Sequence, residues 1–145
     1  MVAHPTQKIA YDATEVGTQL PAQSFPVTRA TLVRYAGASG DFNPIHWSDR
    51  VATSVGLPGV IAHGMLTMAL AGEALAAWLG DTTRIVEYGV TFTNPVLVPD
   101  DDAGAEVVIA GQVKRQTDEG LFQVDLTATA AGQKVLGQAR ALVRG

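Results

Sequence analysis

Apolar and polar positions change their spacing along this chain, and each spacing marks a different kind of element. The longest apolar stretch covers residues 60–79, interrupted by His63, Gly64 and Glu73. From Gly64 to Leu79, side chains such as Met65, Leu66, Met68, Leu70, Leu75 and Trp78 leave almost no polar face. That pattern predicts a helix about 24 Å long at 1.5 Å per residue. A helix apolar all round has to be surrounded, so Met65, Met68 and Trp78 are read as core or dimer contacts. A bilayer crossing takes about 20 largely uncharged apolar residues, so this stretch is read as a buried helix and not a membrane span.

Downstream the period drops to two. Val86, Tyr88, Val90 and Phe92 alternate with Glu87, Gly89 and Thr91, and Phe122, Val124, Leu126 and Ala128 alternate with Gln123, Asp125, Thr127 and Thr129. Both runs read as half-buried strands, with further strands over residues 106–115 and 134–143. Thr117-Asp118-Glu119-Gly120 and Ala131-Gly132 have the length and composition of hairpin turns. Consecutive hairpins make an antiparallel sheet, and the single long helix must pack on its concave face. The expected architecture is α+β, a curved antiparallel sheet wrapped round one apolar helix. Pro95 and Pro99 are expected to end the first long strand or leave it at an edge. Upstream, Phe25-Pro26-Val27 reads as a short extended piece. Thr28 sits where an N-cap belongs, before a helix carrying Ala30, Leu32, Val33, Tyr35 and Ala36 that stops near residues 37–40. Residues 41–45 are expected to be irregular, because Pro44 pushes Asn43 out of the helical region. A short irregular helix over residues 46–55 follows, closed by Gly56-Leu57-Pro58-Gly59.

Composition narrows the functional classes. A length of 145 residues suits one domain spanning 1–145. Hydrophobic residues at 47 % and charged ones at 17 % exclude a disordered, collagenous or coiled-coil chain. Ten basic and 14 acidic residues give 10 − 14 = −4, a balance that argues against nucleic acid as a partner. The absence of cysteine removes disulfides and thiol chemistry. Residues 1–7 lack the apolar core of a signal peptide, so the expected location is the cytoplasm. Asp100-Asp101-Asp102 reads as a solvated turn in preference to a metal site.

Reactive side chains concentrate in two stretches, Ser39-Gly40-Asp41-Phe42-Asn43-Pro44-Ile45-His46 and His63-Gly64-Met65. Asp41 and His46 are separated by a turn, so a carboxylate and an imidazole can converge on one water as an acid/base pair. Asn43 is placed to orient the loop or the carboxylate. Gly64 opens the long helix, whose first N–H groups lack internal partners and sit at the positive end of the helix dipole. A carbonyl oxygen can approach there as in an oxyanion hole. Together the parts describe water added to, or removed from, a carbon beside a polarised carbonyl. The plainer reading keeps Asp41 and Asn43 as turn formers and His63 as a hydrogen-bonded residue at the helix start. Asp41, His46 and His63 offer metal-ligand atoms too, but their spacing matches none of the compact ligand patterns.

The first stretch resembles the hydratase signature of MaoC-like, (R)-specific enoyl thioester hydratases, and Ile61-Ala62-His63-Gly64-Met65-Leu66 resembles that family's helix start at the expected separation. Ile61 through Met68, with Glu87-Tyr88, is most similar to B-type subunits of (3R)-hydroxyacyl carrier-protein dehydratases of type II fatty acid synthesis. The resemblance implies a hot dog fold, Asp41 and His46 as the catalytic pair, and the Gly64 N–H as the thioester-oxygen site. Asn43, His63 and Met65 complete the expected substrate-binding set. It implies an acyl-CoA or acyl carrier-protein thioester as substrate, a homodimer or a heterodimer with a related hot dog subunit, and no metal or organic cofactor. No nucleic-acid or membrane partner is expected. Some short-chain (R)-hydratases carry a serine where this chain has Gly72, which leads to the expectation of a roomier acyl tunnel. The alternatives are a stand-alone (R)-enoyl-CoA hydratase, a non-catalytic acyl-binding subunit, and a thioesterase that would have to use Glu73. Arg29, Arg34, Arg50 and Arg84 are the scattered cations available to a carrier.

Overall fold

The computed structural model describes residues 15–145, so the expectation for residues 1–7 lies outside the described residues. Five strands, β1 (Gln19–Val27), β2 (Ile85–Phe92), β3 (Ala105–Gln116), β4 (Phe122–Ala130) and β5 (Gln133–Val143), form one antiparallel sheet in the order β1-β3-β4-β5-β2. Three helices, α1 (Arg29–Ser39), α2 (Asp49–Ser54) and α3 (Gly64–Leu79), precede β2. The sheet curves round α3, as the hydrophobic periods require. β5 supplies part of that curvature: Gln138 takes a φ of 45° where the pairings of β5 with both β2 and β4 shift register. The Ala131-Gly132 turn joins β4 to β5 with both residues at positive φ, 50° and 73°, the twist a tight hairpin needs.

The core is where α3 meets the sheet. Ala71, Ala74, Leu75 and Trp78 pack among Val107, Ile109, Val113, Val124, Leu126 and Ala141 in one buried cluster. Gly111 is the close-approach position. A Cβ there would lie 3.1 Å from the Trp78 ring, 3.2 Å from Leu20 and 3.3 Å from Leu126. The indole N–H of Trp78 reaches across to the Pro21 carbonyl at 3.1 Å and fixes the far end of α3 to β1.

The expected ends of α1 and α3 hold, while the short helix expected over residues 46–55 begins only at Asp49, because the Ser48 side chain caps it by accepting the Val51 N–H. Thr28 caps α1, bonding reciprocally with Thr31, and Gly40 ends it with a φ of 76°. Several expectations need correction. The extended piece at residues 25–27 is the end of a nine-residue strand. Its prolines, Pro21 and Pro26, are tolerated because β1 is an edge whose outer N–H groups need no partner. Pro44 starts a short 3-10 turn, Pro44–His46, instead of irregular chain, because a proline at the first helical position gives up no bonded N–H. And α3 is not surrounded: Met65, Ala69, Glu73 and Ala77, four residues apart, form a stripe exposed in the single chain. Met65 is 56 % exposed and so is not core, whereas Trp78 is buried and Met68 half-buried. On β2, the free sheet edge beside α3, Val86 and Phe92 are exposed instead of half-buried. Asp100 to Asp102 are exposed bends, with Asp101 accepting the Gly104 N–H. Among the described residues no helix is long and apolar enough to cross a membrane.

Candidate active site

The site forms where the loop after α1 folds back on the start of α3. Pro44 and the Asn43 side chain nucleate the loop's turn, Asn43 Oδ1 accepting the Ile45 N–H at 3.2 Å. The Asn43 backbone N–H donates to Asp41 Oδ1 at 3.1 Å. The second bond fixes one carboxylate oxygen inward to the loop and leaves Oδ2 facing His46 Nε2 at 3.8 Å. Asn43 therefore orients the loop and the carboxylate, and its side-chain oxygen is committed to the turn.

His46 is buried, and its Nδ1 lies 2.8 Å from the Ile61 carbonyl. A carbonyl only accepts, so Nδ1 carries a hydrogen and the neutral ring presents the Nε2 lone pair to Asp41. A distance of 3.8 Å is beyond a direct hydrogen bond and short enough for one water to donate to both acceptors. The Asp41 carboxylate is half exposed, so the pair is reachable from solvent.

His63 lies directly beneath. It is 1 % exposed, stacks on His46 with ring centroids 3.8 Å apart, and donates from Nε2 to the Asp41 carbonyl at 3.1 Å. Burial pushes its pKa below the usual imidazole value, the neighbouring His46 adds to that, and the bond to Asp41 opposes it. His63 thus faces the catalytic candidates, not a substrate cavity.

His63 is the N-cap of α3 but makes no side-chain cap bond, and no acidic residue sits in the first turn. The N–H groups of Gly64 and Met65, like those at any helix start, have no intrahelical acceptor. The positive end of α3 is left for an outside acceptor. A cavity of about 300 Å³ opens beside it, lined by Leu57, Ile61, Gly64, Thr67, Phe92 and Asn94 among others. Met65 is exposed and does not line this cavity. The Phe92 ring stands close beside Gly64, since a Cβ on Gly64 would lie 3.2 Å from it.

Asp41, His46 and His63 offer ligand-type atoms within 4.8 Å of one another, so their sequence spacing does not keep them apart. The two imidazoles, however, are stacked with only 21° between their planes. Their lone pairs lie in those planes, one above the other, and cannot converge on an ion about 2.1 Å from each. The cluster suits hydrogen bonding and not ligation.

Other expectations sort out on distance. Glu73 is exposed on the outer stripe of α3, about two and a half turns from the N-terminus, and gives no support to a thioesterase. The room expected beside Gly72 is occupied, because Tyr88 from β2 lies 3.3 Å from where a Cβ would stand. Its hydroxyl donates to the Met68 carbonyl, and burial raises its pKa to about 12. Of the four cations, Arg29 is paired with Asp49 at 2.9 Å and bonds the Val98 carbonyl, while Arg84 bonds the Leu79 and Arg144 carbonyls. Arg34 and Arg50 are exposed. Sequence reasoning missed Phe92, Thr67 and the Ile61 carbonyl. Phe92 was counted into the strand pattern, and a backbone carbonyl carries no side-chain signal.

Residues 12–131 match the MaoC like domain. The chain belongs to that family. It is 43 % identical over 79 residues to the 3-hydroxyacyl-thioester dehydratase X of Mycobacterium tuberculosis, a match that covers 54 % of this chain and 27 % of that protein. It is 44 % identical over 75 residues to the fatty acid synthase subunit beta of Schizosaccharomyces pombe, covering 49 % of this chain and 4 % of that one. A solved MaoC-like dehydratase superposes with a TM-score of 0.85 at 40 % identity, over 90 % of this chain and 40 % of that one. This MaoC-like chain thus spans about a quarter or less of the length of these two curated relatives, and its sheet and central helix form the hot dog fold.

Proposed function

We propose that this MaoC-like chain is a hydro-lyase that interconverts (3R)-3-hydroxyacyl thioesters with trans-2-enoyl thioesters and water. The observation that carries the reading is the Asp41–His46 pair, two acceptors 3.8 Å apart beside an uncapped helix N-terminus. In the hydration direction one water bonds to Asp41 Oδ2 and His46 Nε2. Its oxygen attacks C3 as one proton passes to the pair, and the pair returns a proton to C2. The thioester oxygen gathers negative charge during attack and rests on the Gly64 N–H, where the helix dipole favours it. Protons and charge balance, and no redox partner is needed. Dehydration runs the same steps backward.

The dehydratase and fatty acid synthase names of the relatives support an acyl thioester of fatty acid synthesis, on coenzyme A or a carrier protein, as substrate. The exposed stripe of α3 and the free edge of β2 support a second hot dog subunit, identical or related, as the partner that covers them.

The test is loss of conjugated enoyl absorbance when purified protein meets a short trans-2-enoyl-CoA, with Asp41→Asn alongside. Turnover by the wild type and its loss by roughly a hundredfold or more in a folded Asp41→Asn protein is expected. Equal activity in the two would overturn the mechanism.

A further inference from the structure

We propose that His63 is the positioning residue of this site, one ring that registers the carboxylate, the imidazole and the helix N-terminus against each other. The inference rests on the reading of Asp41 and His46 above and assigns His63 a role toward them and not toward substrate. His46 is held in its own plane by the Ile61 carbonyl, 2.8 Å from Nδ1, but a single in-plane bond leaves the ring free to tilt. His63 closes that freedom by stacking on its face at 3.8 Å, and Tyr35 packs against His63 in a T-shaped contact with centroids 4.8 Å apart. The same His63 ring donates from Nε2 to the Asp41 carbonyl at 3.1 Å, which fixes the backbone that carries the carboxylate. His63 is also the residue before Gly64, so the loop bearing both acid/base groups is tied to the N–H expected to meet the thioester oxygen.

The chemistry explains why the residue is histidine. The site needs a flat ring against His46 and a donor at the ring's far edge for Asp41. Phenylalanine supplies the first alone and glutamine the second alone. Meeting both with an imidazole leaves its other nitrogen stranded: His63 Nδ1 is buried and has no hydrogen-bond partner among the described residues. A side chain serving only packing has no reason to bury an unpaired nitrogen, and such groups concentrate where a site demands a fixed geometry.

The experiment uses His63→Gln, which keeps the donor without the ring, and His63→Phe, which keeps the ring without the donor. With enoyl-CoA as substrate, each is expected to lower kcat by roughly 10- to 100-fold while KM stays within about threefold, the signature of misplaced reacting groups. Wild-type kcat in both variants would overturn the proposal, as would a loss confined to KM. The ¹⁵N spectrum of the histidine rings gives a readout independent of turnover. Wild-type protein should show His46 with hydrogen on Nδ1 and His63 with hydrogen on Nε2, and His63→Gln should let the unstacked His46 ring tilt out of line with the Ile61 carbonyl, weakening the bond that fixes its tautomer, so that its signals move toward those of a ring exchanging between tautomers. If the protein proves inactive and this change is still seen, the positioning role stands and the assigned reaction falls. If His46 is unchanged in both variants, the positioning role falls whatever the activity.

Discussion

Adding one methyl group to Gly111 tests how closely the sheet wraps α3. The new Cβ of Gly111→Ala would stand 3.1 Å from Trp78, 3.2 Å from Leu20 and 3.3 Å from Leu126, three contacts tighter than a relaxed core accepts. Trp78 cannot swing clear, because it is 3 % exposed and its indole N–H is held by the Pro21 carbonyl. Overpacking of this kind costs about 1–3 kcal/mol. The stiffer unfolded chain of the alanine variant offsets about 0.4–1 kcal/mol of that. The net expectation is a loss of about 1–2 kcal/mol. Gly37→Ala supplies the control, since Gly37 lies inside α1 with nothing within 4 Å of a Cβ. There the same change should stabilise by about 0.5–1 kcal/mol. Urea unfolding followed by circular dichroism reads both, and the two midpoints should move in opposite directions. If Gly111→Ala stabilised the protein as Gly37→Ala does, the close packing of α3 against β3 would be wrong.

Gly64→Ala should push the Phe92 ring, 3.2 Å from the new Cβ, across the helix start and lower enoyl-CoA hydration by about tenfold or more. The half-exposed ring can move, so the urea midpoint should barely change, and adding Phe92→Ala should restore most of the activity. Tyr88 ionises at about 12 in the folded protein because burial disfavours the phenolate, against 10.0 ordinarily. The unfolded chain therefore loses its proton first, so this stability contribution is intact below pH 10 and is lost as pH rises toward 12. Urea midpoints should fall between about pH 9 and 11, on either side of the ordinary tyrosine pKa, and Tyr88→Phe should flatten the decline.

Most of the fold was legible because burial imposes a period. Strands β3 to β5 alternate between the α3 side and solvent, and the Ala131-Gly132 turn announces their hairpin. β1 was not legible, because Pro21 and Pro26 are strand-breaking signals unless the strand lies at an edge, and edge position is a tertiary fact. The exposed stripe on α3 was hidden for a similar reason. Met65, Ala69 and Ala77 are apolar, so nothing in their chemistry separates a face covered by this chain from one left open. In the site, Asp41 and His46 could be paired from a turn of five residues, whereas His63 lies 22 positions from Asp41 and its bond to that carbonyl needed the fold. The space beside Gly72 was misjudged because its occupant, Tyr88, comes from β2, 16 positions downstream.

The central claim is that Asp41 and His46 share one water on one side of the substrate, and the stereochemistry of addition tests it most directly. Hydration of a trans-2-enoyl thioester in D₂O should place deuterium at C2 and hydroxyl at C3 on the same face, because a single pair of groups 3.8 Å apart supplies both. NMR of the isolated product, read from the C2–C3 coupling, should show this syn diastereomer alone. An anti product would require donors on opposite faces of the double bond and would contradict the account.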